Sequence, residues 1–117
     1  EATSNIPVIA AVLVVTVTIL FLTEVTSNTA TAASFLPLLG PIAVTLTDGP
    51  LMLVIPAALA ASCAFMMPVA TPPNAIVFSS GELRIKDMAR AGFWLNIAAI
   101  FMIVILMLTS VPMVFNL

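Results

Sequence analysis

The chain has 117 residues, of which 62% are apolar and 7% charged, with a formal net charge of −2 and a mean hydropathy of +1.29. A soluble domain carries about a quarter charged residues, so this composition predicts a protein whose solvent is lipid. The sequence offers no basic patch for nucleic acid, no His for the usual zinc sites, and no nucleophile–base set or paired carboxylates that would indicate an enzyme.

The first apolar segment, Ile6–Leu22, is predicted to be a helix. Its Val, Ile and Thr content would favour a strand in water, but in lipid every backbone N–H and C=O must be satisfied within the segment. A cluster of hydroxyl and amide side chains, Thr26–Thr31, follows it. A second helix is predicted over Ala30–Leu46, bent by Pro37 and Pro41.

The sequence TDGP, Thr47–Pro50, has the chemistry of a turn. The apolar stretch after it, Leu51–Gly81, would be about 46 Å long as one helix, which exceeds a hydrocarbon core of about 30 Å. It contains two adjacent prolines, each of which lacks an N–H and biases its predecessor away from helix. We therefore predict a helix over Leu51–Val69, a break at Ala70–Pro73 and a short helix starting near Asn74.

Every Lys and Arg of the chain lies in Gly81–Gly92. This predicts a water-exposed connection at residues 82–90, on the cytoplasmic side by the positive-inside rule. Asp87 is a candidate N-cap for the last helix, predicted over Met88–Val114. The TDGP turn, one crossing earlier, is then outside, and the break at Ala70–Pro73 falls near the middle of the bilayer.

The polar cluster after the first helix has two alternative placements. If Ile6–Leu22 spans the membrane, the cluster is an ordinary cytoplasmic turn, and the helix lengths favour this. If the flanking helices form a re-entrant hairpin, the cluster lies at membrane depth, and its lack of Lys, Arg, Asp and Gly favours that. Glu24 is a carboxylate in an apolar run and is therefore a functional candidate by default. It either braces the tip of the hairpin and offsets the charge of a nearby cation, or it simply reaches water.

If both interruptions lie at mid-membrane, they offer complementary binding groups. Helices that start after Asn28 and Pro73 would present free N–H groups to an anion. Helices that end at Thr23–Val25 and Val69–Ala70 would present carbonyls to a hard cation such as Na⁺. Secondary transporters hold an anionic substrate beside its coupling ion in this way. The alternative is a small membrane structural or assembly subunit in which the polar breaks serve helix packing.

Two motifs resemble those of the divalent anion/sodium symporters, a family that includes bacterial dicarboxylate and mammalian citrate and sulfate carriers. SCAFMMPVATPPNAIV, Ser62–Val77, resembles the family signature, and TEVTSNT, Thr23–Thr29, resembles the second of its two Ser-Asn-Thr motifs, at a re-entrant hairpin tip. The resemblance covers essentially the whole chain but only the C-terminal part of the family. The first hairpin, the first sodium site and the scaffold helices of the family have no counterpart in these residues.

The resemblance implies an all-α membrane protein that forms one partial inverted repeat of a secondary transporter. It implies a re-entrant hairpin at 1–47, a discontinuous transmembrane helix at 48–81, a cytoplasmic connection at 82–90 and a last transmembrane helix at 91–117. The implied activity is symport of a succinate-like di- or tricarboxylate with Na⁺ by an elevator motion, in a multi-pass homodimer of the cell (inner) membrane.

The resemblance also implies the residues of the site. The anion would be met by Ser27, Asn28, Thr29, Thr71 and Pro72. The sodium ion would be held by Thr23, Asn28 and the carbonyl of Ala70. Because half of the family's site lies in the N-terminal half, we expect this chain alone neither to bind substrate tightly nor to transport.

Overall fold

In the computed structural model, residues 6–47 and 49–116 are described, and they form five helices and no strand. The helices are α1 (Ile6–Leu22), α2 (Asn28–Leu46), α3 (Leu51–Ala61), α4 (Pro72–Ser79) and α5 (Ile85–Phe115). The prediction of an all-helical chain is confirmed for this part of the sequence. Two of these helices, α2 and α5, are long and apolar enough to cross a membrane.

The core lies where α3 meets its neighbours. α3 packs extensively against α1 and α2, which touch each other little, and α5 packs against α1 and α3. The α3 residues Ala57, Ala60 and Ala61 are at most 2% exposed, and small side chains of this kind let helices approach closely. Leu20 of α1 and Met107 of α5 are fully buried and belong to the same apolar cluster.

The first two helices follow the sequence prediction closely. α1 has the predicted bounds, and α2 starts at Asn28, two residues before the predicted Ala30. The earlier start results from Ser27, whose hydroxyl caps the helix by accepting a hydrogen bond from the backbone N–H of Ala30 at 3.3 Å. The predicted turn at Thr47–Pro50 includes Asp48, which lies outside the described residues.

The third helix is shorter than predicted. α3 ends at Ala61 and not at Val69, and a non-helical segment, Ser62–Thr71, follows it. We call this segment the break loop. The predicted break at Ala70–Pro73 is therefore wrong in its bounds, because Pro72 and Pro73 are the first two residues of α4. Proline suits the first turn of a helix, where its missing N–H would have no helical partner.

The last helix begins earlier than predicted. α5 starts at Ile85 and not at Met88, so the connection predicted at 82–90 is helical from residue 85 onward. Asp87 lies in the first turn of α5 and is not its N-cap. Its Oδ2 accepts a hydrogen bond from the backbone N–H of Arg84, the residue before the helix, at 3.3 Å. A carboxylate in this position also stabilises the positive end of the helix dipole.

Candidate functional site

An open cavity of about 510 Å³ lies between the segment that joins α1 to α2 and the break loop. We call the first segment, Thr23–Thr29, the α1–α2 tip. The volume is within the range of roughly 300–1,000 Å³ that is usual for small-molecule sites. Six of the seven residues predicted for the site line this cavity: Ser27, Asn28, Thr29, Ala70, Thr71 and Pro72. The structure therefore brings together Ser27–Thr29 and Ala70–Pro72, which lie more than 40 residues apart in an apolar chain.

The tip contributes the N-terminus of α2 to the cavity. The Ser27 hydroxyl and carbonyl take up the N–H groups of Ala30 and Thr31. The N–H groups of Asn28 and Thr29 come earlier in the helix and have no partner within it. Together with the positive end of the helix dipole, these two N–H groups form a wall suited to an anion.

The break loop contributes the start of α4, where the expected free N–H groups are not found. Pro72 and Pro73 have no N–H, and the N–H of Asn74 donates to the Thr71 hydroxyl at 3.2 Å. The N–H of Ala75 donates to the Thr71 carbonyl. The prediction of free N–H groups at this helix start is therefore wrong. The Thr71 hydroxyl accepts from Asn74 and keeps its own proton, which it can donate to a ligand in the cavity.

The seventh predicted residue, Thr23, lies behind the cavity wall. Its side chain is fully buried, and its hydroxyl lies within hydrogen-bond distance of Asn28 Oδ1 and, at 3.2 Å, of the Ala61 carbonyl at the end of α3. Ala70 is 7% exposed and lines the break-loop side of the cavity. Hydroxyl, amide and carbonyl oxygens are the ligands that hard cations prefer. The sequence did not indicate Ala61, because α3 was expected to continue beyond it.

Glu24 does not line the cavity, and its side chain bonds the break loop. Its carboxylate accepts hydrogen bonds from the backbone N–H groups of Phe65, Met66 and Met67 at 2.9–3.2 Å. The Nδ2 of Asn96 on α5 donates to the same carboxylate at 2.7 Å. A buried charge is tolerated when it is hydrogen-bonded in this way. Glu24 is only 4% exposed, so it braces the break loop and does not reach water.

Two further residues fix the break loop, and the sequence analysis assigned neither of them this role. The Asn74 side chain donates from Nδ2 to the carbonyls of Ala64 at 2.9 Å and Met67 at 3.0 Å. Gly92 of α5 lies so close that a Cβ there would be 2.1 Å from the Phe65 carbonyl oxygen. Asn96, the amide partner of Glu24, was missed as well. A lone amide inside a long apolar helix was the signal available for it.

Comparison with known proteins identifies relatives of this chain. A family model described as "Sodium:sulfate symporter transmembrane region" matches residues 1–117. A protein of Staphylococcus saprophyticus named "Sodium-dependent dicarboxylate transporter SdcS" is 54% identical over 101 residues, which cover 86% of this chain and 20% of that protein. The SdcS protein of Staphylococcus aureus is 51% identical over 92 residues, covering 79% and 18%. The chain thus spans about a fifth of the length of the curated relatives it matches.

Proposed function

Because this chain belongs to the family of the sodium:sulfate symporter transmembrane region, and so forms part of an integral membrane protein, we propose that it is the C-terminal part of a sodium-coupled symporter for di- or tricarboxylates. Its relatives are named as sodium-dependent dicarboxylate transporters. The observation that carries the proposal is the cavity at which the α1–α2 tip and the break loop meet. Of the seven residues predicted to bind the anion and the sodium ion, six line this one cavity.

The anion occupies the side of the cavity formed by the start of α2. The free N–H groups of Asn28 and Thr29, the hydroxyls of Ser27 and Thr29, and the hydroxyl of Thr71 across the cavity are its donors. The side chains that line the cavity include no Lys or Arg. A dianion is therefore held by helix dipoles, neutral donors and the charge of bound Na⁺.

Sodium occupies the side of the cavity formed by helix ends. Thr23, the Asn28 side-chain oxygen and the Ala70 carbonyl are its ligands in this proposal, with the Ala61 carbonyl close to Thr23. Asn28 takes part on both sides, since its backbone N–H faces the anion and its side chain meets Thr23. Sodium binding therefore orders the residue that binds the anion, and each ligand raises the affinity of the other by the same factor.

In the membrane, α1 and α2 form a re-entrant hairpin, with lengths of about 25 Å and 28 Å, and the cavity lies near the midplane. The connection at 82–90 is cytoplasmic, and 91–117 is the last transmembrane segment of a multi-pass protein of the cell membrane. The complete transporter is a homodimer that carries the site across the bilayer by an elevator motion. Its N-terminal half supplies the other half of the site, so this fragment alone is inactive.

The experiment that tests the proposal measures sodium-dependent dicarboxylate uptake by the full-length protein carrying this sequence, with Asn28→Ala. We expect uptake to fall at least about tenfold, because Asn28→Ala removes the side-chain oxygen proposed as a sodium ligand, and losing one polar contact to a charged group costs about 1.5–3 kcal/mol. The matched control is Thr45→Ala, which removes an exposed hydroxyl of the same helix that bonds only the Ile42 carbonyl. Unchanged uptake by Asn28→Ala would remove the central role assigned to this residue.

A further inference from the structure

We propose that Glu24 and Asn96 form a positioning clamp, through which α5 holds the break loop against the α1–α2 tip and so sets the affinity of the site for both ligands. This inference rests on the function proposed above. Neither residue lines the cavity. Both therefore act through the break loop and not by touching substrate or ion.

The hydrogen bonds of Glu24 exclude it as a sodium ligand in this arrangement. A carboxylate has about four lone-pair positions. Oε1 accepts from Phe65, Met66 and Asn96, and Oε2 accepts from Met66 and Met67. Because every lone-pair position of the carboxylate faces an N–H donor, Glu24 holds the successive N–H groups of Phe65, Met66 and Met67 around one carboxylate.

Two adjacent residues, Thr23 and Glu24, connect the two walls of the cavity. Thr23 bonds Asn28 in the α1–α2 tip, and Glu24, the next residue, bonds the break loop. Ala70 and Thr71 follow within a few residues of the amides that Glu24 holds. A change in the position of those amides therefore shifts the break-loop wall relative to the tip.

The second half of the clamp is a single face of α5. Gly92 and Asn96 are one helical turn apart and so lie on the same face, and both are buried. The absent side chain at Gly92 lets the Phe65 carbonyl approach the helix, while Asn96, which is 0% exposed, reaches Glu24. Of the two polar atoms of this buried amide, Nδ2 makes a charge-assisted bond to the carboxylate, which is of the stronger kind, whereas Oδ1 has no hydrogen-bond partner among the described residues.

The test uses the full-length protein with Asn96→Ala, Glu24→Gln and the double variant. We expect Asn96→Ala to raise the substrate KM and the sodium half-saturation concentration together, each by about tenfold. Glu24→Gln has at least this effect, and the double variant is no worse than Glu24→Gln, because both changes break one network. If Glu24→Gln does not fold, Glu24→Asp replaces it. Multiplying effects of the two changes would overturn the clamp.

A matched control removes a buried hydrogen bond that does not reach the break loop. Thr16 of α1 is 0% exposed, and its hydroxyl donates to the Val12 carbonyl of the same helix at 2.7 Å. Thr16→Val should leave the KM and the sodium half-saturation concentration within about twofold. If Thr16→Val raises both constants as much as Asn96→Ala does, the effect is general destabilisation and the inference fails.

Amide hydrogen exchange separates the clamp from the transport function. In the purified full-length protein, Asn96→Ala should speed exchange of the peptide containing Phe65–Met67 by about tenfold, whereas Thr16→Val should not. Unchanged exchange in Asn96→Ala overturns the clamp even when uptake is normal. If Asn96→Ala speeds this exchange but the wild-type protein shows no sodium-dependent uptake, the proposed function fails, and the clamp stands only as a structural feature without its proposed role in ligand affinity.

Discussion

Replacing Gly92 by Ala should push the break loop away from α5. The new Cβ would lie 2.1 Å from the Phe65 carbonyl oxygen and 2.6 Å from the Met66 Cα. Ordinary contact begins at 3.4 Å, so the backbones must separate by about 1.3 Å. Overpacking of this kind costs about 1–3 kcal/mol, which exceeds the gain of about 1 kcal/mol from replacing Gly by Ala in a helix. The displacement also lengthens the bonds that Glu24 makes to the same backbone.

The matched control is Gly40→Ala in α2, where the new Cβ meets only Pro50 and Val54 side-chain atoms at 4.0 Å. We expect Gly40→Ala to melt at or slightly above the wild-type temperature and to bind normally. Gly92→Ala should melt several degrees lower and bind dicarboxylate more weakly. The assay is thermal melting of the purified full-length protein, with and without Na⁺ and dicarboxylate. If Gly92→Ala melts and binds like Gly40→Ala, α5 does not fix the break loop as described.

Two further changes test the break loop and the start of α4. Asn74→Ala removes the donors to the Ala64 and Met67 carbonyls. Chemical denaturation should therefore show that the free energy of unfolding falls by about 1–3 kcal/mol. A loss below about 0.5 kcal/mol would mean that these bonds do not hold the break loop. Thr71→Val removes the hydroxyl that caps α4, which contributes about 1 kcal/mol to stability. In uptake assays Thr71→Val should raise the substrate KM, whereas Thr71→Ser should keep the KM near the wild-type value. Equal KM values for the two variants would exclude a role for the hydroxyl.

The extent of α1 and α2 could be predicted from the sequence because it depends on local chemistry. In lipid, a helix satisfies its backbone within itself, so an apolar run predicts its own conformation. The end of α1 at Leu22 and the start of α2 near Ser27 follow from the change to polar residues and from a capping hydroxyl. Both signals lie within a few residues of the boundary that they determine.

The end of α3 could not be predicted in this way. The residues after Ala61 are apolar and would continue a helix by composition alone. Their non-helical conformation depends on Glu24, about 40 residues earlier, and on Gly92 and Asn96, which come later in the chain. Such distant partners replace the helical hydrogen bonds that Phe65 and its neighbours give up. Only the structure shows which partners they are.

In the candidate site too, local sequence signals could be predicted and distant partners could not. Six of the nine residues that line the cavity were predicted, because the polar motifs and the resemblance to a known family point at them directly; Pro68, Val69 and Ala75 were not. The residues that hold the cavity together were not, because a single Gly or Asn in an apolar helix does not indicate its partner. Asn96 would have drawn attention only through the rarity of amides buried in such helices.

The most direct test of the account asks whether the α1–α2 tip and the break loop form one ligand site. The background is the full-length protein with Cys63→Ser, which removes a free thiol of this region. In this background, Ser27→Cys and Thr71→Cys are each labelled with a small water-soluble thiol reagent. The control is Ser80→Cys, since Ser80 is exposed at the far end of α4. With Na⁺ and dicarboxylate at roughly ten times Kd, labelling at both 27 and 71 should slow about tenfold, because only about a tenth of the sites remain free, while labelling at 80 should not change. Labelling at 27 or 71 that is unaffected by Na⁺ and dicarboxylate would contradict the account, and helix packing would then be the role of the polar breaks.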